Sequence, residues 1–472
     1  MDSYAAFVAS KSQLAGDHGF APSHLPSFLY PFQAYLVDWA LRGGRRAIFA
    51  DCGLGKTPIQ LVWADQVCRA MNGRVLILAP LAVGMQTIAE GEKFGIEVAR
   101  YTEPARIVVA NYERLHQLDP GDYVGAVCDE SSILKHYDGE TRRAVTRFLL
   151  KIPYRLLASA TPAPNDWSEL GTSSEAIGEL THSDMLEEFF RELQWEERRR
   201  IMFNGHFSRR VSLGALDTMT GRWRLKGHAL EPFWRWIASW ARACRKPSDL
   251  GDFDNAIFAL PPLIERDHVI AIDRPPEDML FTLPAISMRQ ELAERRRGLA
   301  ERCETVARLV AHQEPAVVWC HLNAESERLA VLIPDAVEIR GTQSEEEKEE
   351  RLRAFLTGAA RVLITKPKIA GHGLNFQHCA HVVTFASHSF ESYYQSVRRC
   401  WRYGQSRPVT VDVVWTEGET RIKDRLRRKC GKADEMFAAI VAHMRDALRI
   451  ARRDGVEHAP ALPSWVKGDA CG

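Results

Sequence analysis

The stretch RRAIFADCGLGKTP, Arg45 to Pro58, decides the fold. RRAIFA reads as a short strand buried on both faces, the texture of a parallel sheet covered by helices. The glycine-rich ADCGLGKT, Ala50 to Thr57, follows it directly. A turn of this kind between strand and helix lets backbone N–H groups surround phosphate oxygens, and the helix amino terminus adds partial positive charge. Gly53 and Gly55 then line a phosphate site, Lys56 reaches the β- and γ-phosphates, and the Thr57 hydroxyl ligates Mg²⁺. Pro58 suits a first helical turn, where no backbone donor is needed. A bare GxGKT could be only a tight turn; the strand before it and the helix after it favour phosphate binding.

The alternation continues outward. RVLILAP, RIVVANY, YVGAVCDE and YRLLASAT follow in the first half, and PAVVWCH, AVEIRG, RVLITK, HVVTFA and PVTVDVVW in the second. Helical stretches separate them, so the expected class is α/β with two doubly wound parallel-sheet lobes. The expected boundaries are lobe 1 over residues 1–165, a helical Arg- and Trp-rich insertion over 166–260, lobe 2 over 261–432 and a helical tail over 433–472, with Thr420 to Asp454, after the last strand, reading as a basic amphipathic helical stretch. Trp195, Trp223, Trp234, Trp236 and Trp240 dominate the insertion, where strand patterns vanish. They suit the core of a small helical module better than a grip on nucleic acid, although both remain open.

The 472 residues suffice for two or three domains, and 46% hydrophobic with 26% charged residues describes a globular chain. No apolar run could cross a bilayer, and Met1 to Gln13 lacks the layout of a signal peptide. The ten cysteines are scattered singly, several in strand-like runs, which reads as reduced core thiols of a cytosolic protein. Lys and Arg (62) balance Asp and Glu (61), so bulk charge does not call for a polyanion. A local basic strip would suffice for a few phosphates. Arg198–Arg200, Arg209 and Arg210, Arg295–Arg297 and Arg427–Lys429 are candidates, each, taken alone, better read as a solvated helix face.

Two further signals bear on chemistry. VGAVCDE places Asp129 and Glu130 at the carboxyl end of a buried strand, the edge where open α/β sheets bind ligands. One carboxylate, Asp129, can hold Mg²⁺ while Glu130 polarises an attacking water. Alone they could equally cap the next helix. Far downstream, QSVRRCWRYGQ (Gln395–Gln405) carries Arg399 and Arg402 three residues apart; on a helix they share a face and could act as arginine fingers on the γ-phosphate. Arg398 is expected to face elsewhere.

ADCGLGKT, CDESS, ASATP and QSVRRCWRYGQ, in this order, resemble superfamily-two helicases. LYPFQ resembles their adenine-reading segment and makes Gln33 the adenine contact; SATP, Ser159–Pro162, resembles the segment coupling hydrolysis to lobe movement. VLILAPLAV and VVANYERL resemble the lobe-1 segments that touch a nucleic-acid backbone. VVWCH, IRGTQSEEEKEERLRAF and TKPKIAGHGLNFQ resemble the lobe-2 segments, with Gly373 on the nucleotide. The chain is most similar to Swi/Snf-type DNA translocases in Gln395, Arg399, Arg402, Gly404 and Gln405, in Lys135, in the ALPP of Ala259–Pro262, and in Thr416–Lys429, which looks like their brace. Its compact form resembles helicases of bacteriophages and prophages. The resemblance covers roughly Leu29 to Lys432 and implies RecA-like lobes, ATP with Mg²⁺, and DNA, duplex favoured, as the track. Replication or recombination proteins are the expected partners. The resemblance leaves a strand-separating DNA or RNA helicase as an alternative, and a nucleotide-gated DNA loader with slow hydrolysis as another. CDESS in place of DEAH or DEGH, the short glycine loop and the short GHGLN depart from the pattern.

The cluster His372, His378, Cys379, His381 and His388 fits no usual zinc spacing, and strand alternation sends His378 and His381 to opposite faces. Ser344 with Glu347 reads as a capping box at a helix start, which accounts for SEEEKEERLRAF structurally.

Overall fold

The computed structural model describes residues 16–135, 139–195, 197, 223–272, 288–370, 375–387 and 389–454. Lobe 1 is built on strands β1 (Arg45–Ala50), β2 (Arg74–Ala79), β3 (Val98–Arg100), β4 (Ile107–Asn111), β5 (Tyr123–Asp129) and β6 (Tyr154–Ala158). A hairpin, β7 (Phe190–Glu192) with β8 (Trp223–Leu225), and a seventh sheet strand, β9 (Ala241–Cys244), follow. The sheet runs β3-β4-β2-β5-β6-β1-β9, and every pairing in it is parallel. All five apolar runs read from the first half become strands here. Five of the six residues of both β1 and β2 are buried, as a sheet covered on both faces requires.

Lobe 2 carries β10 (Leu263–Ile270), β11 (Ala316–Trp319), β12 (Ala336–Glu338), β13 (Val362–Thr365), β14 (His381–Phe385) and β15 (Val409–Thr416). Their order is β10-β15-β14-β11-β13-β12, again parallel throughout. Separate apolar clusters around Trp319 and Phe376, and around Val318 and Val383, fill the two sides of this sheet. Both lobes are RecA-like α/β units. Ser344 caps the helix Glu345–Leu356, its hydroxyl accepting from Glu347 N at 3.2 Å.

Two expected boundaries need correction. Residues 166–260 are not a separate helical insertion in their described parts. β9 pairs with β1 from Ala47↔Ala241 to Ala50↔Cys244, and Trp234, Trp236 and Trp240 belong to the lobe-1 core. Trp240 meets Phe49 of β1 edge to face at 6.2 Å. The aromatic residues are core, as the sequence favoured, but the core is that of lobe 1 itself. Only Trp195 stands well out, 67% exposed. Arg198–Arg200, Arg209 and Arg210 fall outside the described residues.

In its described part, up to Asp454, the 433–472 tail is likewise not distinct. One 35-residue helix, Thr420–Asp454, runs through the boundary. It begins on lobe 2, where Lys423 and Arg427 pair with Asp267 of β10. Further along, Met436, Phe437, Ile440 and Met444 are buried in the lobe-1 core. Lys429 Nζ donates to Asn165 Oδ1 at 2.8 Å, and Arg245 pairs with Asp434 at 2.7 Å. An amphipathic helix stays where its apolar stripe is covered, and here lobe 1 covers it.

Candidate nucleotide cleft between the lobes

β5, β6 and β1 are neighbours, so their carboxyl ends bring three segments together: Asp129 and Glu130, Ser159–Pro162, and the glycine loop. The loop turns through Gly53 (φ +89°) and Gly55 (φ +73°), and Gly55 caps the helix Lys56–Met71. A Cβ on Gly55 would lie 2.3 Å from Gln33 Nε2, and one on Gly53 3.0 Å from the backbone nitrogen of Tyr403. Both positions therefore need glycine for φ and for space.

Gln33 is buried beneath this loop. Its Oε1 accepts from Tyr30 N, and its Nε2 donates to the Leu54 carbonyl, both at 3.0 Å. Its side chain thus ties the start of the helix Pro31–Gly43 to the glycine loop. Tyr30 and Phe32 meet Phe258 edge to face at 5.1 Å, and Tyr403 of lobe 2 packs on the same ring at 5.0 Å. Lys56 Nζ donates to the carbonyls of Ala50 (2.9 Å) and Asp51 (3.4 Å), inside its own loop. Thr57, next in the chain, sits on the first turn of the helix.

Asp129 Oδ1 accepts from Gln60 Nε2 at 2.7 Å. Burial pushes the Asp129 carboxyl above its ordinary range, with Glu130 adding to the rise and Gln60 and Lys56 opposing it. A divalent cation would offset that penalty, and a carboxylate such as Asp129 with a hydroxyl such as that of Thr57 is the kind of hard-oxygen donor Mg²⁺ takes. Glu130 has φ +56°, a left-handed conformation costly for a side chain of its size. Two hydroxyls hold its carboxylate: Ser159 Oγ donates to Oε1 at 2.7 Å and Ser132 Oγ to the same oxygen at 2.9 Å. Ser159 Oγ in turn accepts from Thr161 N at 3.0 Å. The second serine of CDESS thus has a place in the site, which its departure from DEAH did not reveal.

Lobe 2 contributes the helix Phe390–Val397 and the turns after it, laid across lobe 1. The helix is capped by Ser389, whose hydroxyl accepts from Ser392 N. It stops at Val397, so Arg399 and Arg402 do not share a helical face, contrary to the expectation from their spacing. The Arg399 carbonyl accepts from Phe376 N at 2.9 Å and leaves the helical ladder; Gly404 (φ +88°) turns the chain again. The turns still bring both arginines to the cleft. Arg399 is buried within electrostatic reach of Cys52, Glu130 and Asp129; burial lowers its pKa and those groups oppose the fall. Burial, then the neighbouring Arg399, lowers Arg402. Gln405 pins the turn by donating to the carbonyls of Gln377 (2.9 Å) and Cys379 (3.0 Å).

Arg398 does not face elsewhere. It is 2% exposed and pairs with Asp51 at the mouth of the glycine loop, because the end of the helix turns its side chain toward lobe 1. At the other end of the same helix Glu391 pairs with Lys135. Gly373 falls outside the described residues, as do His372 and His388. Of the other zinc candidates, His378 lies against the Phe355 ring at 4.7 Å, while His381 bonds to His312 and Asp412, both at 2.6 Å. Among the described residues no group of three His, Cys, Asp or Glu is placed to hold a metal, and no helix is long and apolar enough to cross a membrane.

Two RecA-like lobes facing each other across a glycine loop define a two-lobed α/β protein. Residues 301–404 match the family model of the helicase conserved C-terminal domain, which supports a place in the helicase superfamily. That match spans most of lobe 2 and ends just after Arg399 and Arg402. No curated protein matches the chain.

Proposed function

We propose that this chain is an ATP-dependent motor of the Swi/Snf type that moves along DNA, with duplex favoured. One observation carries the reading: Lys56, Asp129 and Glu130 stand on one lobe, and Arg399 and Arg402 reach the same cleft from the other. Such a site is complete only when the lobes close, so turnover and lobe movement are linked. Gln33 and the aromatic group around Phe258 flank the base, and the glycine loop receives the phosphates. Mg²⁺ held by Thr57 and Asp129 would neutralise charge on the β- and γ-phosphates. Glu130 orients the attacking water and accepts its proton, and Lys56 must swing from the carbonyls of Ala50 and Asp51 to the γ-phosphate. Arg399 and Arg402 stabilise the charge of the departing phosphoryl group.

The bond from Ser159 to Glu130 links the water-activating carboxylate to Ser159–Pro162, a path from hydrolysis to movement. The helix Thr420–Asp454, packed on both lobes, transmits their relative motion. Repeated closure would advance the lobes along one phosphate backbone, a sequence-independent grip that weakens steeply with salt. Trp234, Trp236 and Trp240, buried in the lobe-1 core, are not themselves placed to split strands.

The test compares ATP turnover on blunt duplex, single-stranded DNA and RNA, alongside displacement of a third strand from a triplex and unwinding of a forked duplex. Duplex-stimulated turnover with triplex displacement and little fork unwinding is expected. Robust fork unwinding without triplex displacement would replace this reading with a strand-separating helicase. ATP and DNA binding with negligible turnover would replace it with a loader.

A further inference from the structure

We infer that Arg398 is a positioning residue, which docks lobe 2 on the glycine loop through Asp51 and so sets where Arg399 and Arg402 stand. The role in turnover rests on the reading of the cleft as an ATP site; the docking itself does not.

Asp51 directly follows the strand that feeds the loop and is 5% exposed. Its Oδ1 accepts from Cys52 N at 2.6 Å and from the Tyr394 hydroxyl, and its Oδ2 pairs with Arg398. The same Arg398 nitrogen donates to the Cys52 carbonyl at 3.1 Å. The guanidinium lies 4.7 Å from the Trp401 ring centroid and 5.6 Å from that of Tyr394. Burial works against the Arg398 charge, but Asp51 and Tyr394 more than offset it and raise its pKa, so the arginine stays charged. A charge this deep is tolerated only beside its partner, and the partner belongs to the other lobe. Buried pairs of this kind add little net stability compared with apolar packing but penalise any other arrangement, which makes them good at fixing one register.

The geometry turns that register into a setting for the site. Arg398 adjoins Arg399 in the chain, and the turns that follow carry Arg402 and Tyr403 onto Gly53. The pair of Glu391 with Lys135 anchors the other end of the eight-residue helix, on the segment that follows Asp129 and Glu130. The helix is thus held to both halves of the lobe-1 site by contacts between protein groups alone, so the docking is expected to form without ATP.

The experiment uses the full chain. Steady-state ATP turnover with duplex DNA, binding of a non-hydrolysable ATP analogue and the nucleotide-free radius of gyration by small-angle scattering are measured for Arg398→Met, Asp51→Asn, the double variant and Arg398→Lys. Each single substitution is expected to lower kcat about a hundredfold and to leave analogue affinity within about threefold. The double variant should be no worse than the weaker single, because both remove one interaction. The nucleotide-free radius should rise in Arg398→Met and Asp51→Asn, and Arg398→Lys should recover part of the compaction. Unchanged turnover and radius, additive losses in the double variant, or analogue binding lost in step with turnover would each overturn the inference. If Arg398→Met does not fold, Asp51→Asn and Tyr394→Phe keep the shape of the contact and carry the same comparison. A chain that turned over no ATP but still expanded in these variants would refute the motor and leave the docking standing.

Discussion

Removing the Ser159 hydroxyl isolates the link between Glu130 and Ser159–Pro162. Ser159 is fully buried, and its hydroxyl gives one of the two bonds to Glu130 Oε1 while receiving the Thr161 N–H. A hydrogen bond to a charged group contributes about 1.5–3 kcal/mol. If that bond holds the carboxylate against the attacking water, its loss raises the barrier by the same amount, about ten- to hundredfold in kcat at about 1.4 kcal/mol per decade. Ser159→Ala also leaves the Thr161 N–H without its acceptor, which costs about 1–3 kcal/mol of stability. Ser132→Ala removes the other bond to Glu130 but orphans no backbone group, so it should slow turnover comparably with a smaller fall in Tm. Single-turnover hydrolysis under saturating ATP, with analogue binding and thermal melts on the same samples, separates these effects. The reasoning is refuted if Ser159→Ala turns over at the wild-type rate, or if it loses analogue affinity in proportion to kcat.

Further expectations concern the same cleft and its surroundings. Lys56→Ala should abolish hydrolysis and weaken ATP binding, whereas Glu130→Gln should keep ATP bound and stop turnover; normal turnover in Glu130→Gln would remove that residue from the chemistry. Arg399→Ala and Arg402→Ala should each cut turnover about a thousandfold or more with far smaller changes in ATP affinity, and equal losses in both would reduce them to binding residues. Acid should destabilise the fold. Burial holds His312 and His378 below the usual imidazole range and His321 down to about 4, so the folded chain keeps them neutral where an unfolded chain would take protons. Their contribution is complete above about pH 6.5 and is lost as pH falls toward the folded values. Tm should therefore drop between pH 7 and pH 5, and a flat profile across that window would contradict it.

The strands and the glycine loop were legible in the sequence because their signals are local. RRAIFA, RVLILAP and YVGAVCDE are apolar on both faces, as strands of a covered parallel sheet are, and ADCGLGKT stands directly behind the first of them. β10 escaped notice for the opposite reason. It is an edge strand whose charged Glu265, Arg266 and Asp267 stand in exposed positions and interrupt any apolar run. β9 is four residues long and hides among the tryptophans whose helix it follows.

What only the tertiary structure decided lies between residues far apart in the chain. Sequence spacing put Arg399 and Arg402 on one helical face and turned Arg398 away, but the Phe376 bond to the Arg399 carbonyl and the turn at Gly404 end that helix early. Arg398 then meets Cys52 across 346 positions. Ser159 reaches Glu130 because β6 lies beside β5 in the sheet, an order that no local pattern specifies. The amphipathic pattern of Thr420–Asp454 told that the helix had a face to bury but not which lobe would cover it, since burial depends on the surface presented and not on the helix alone.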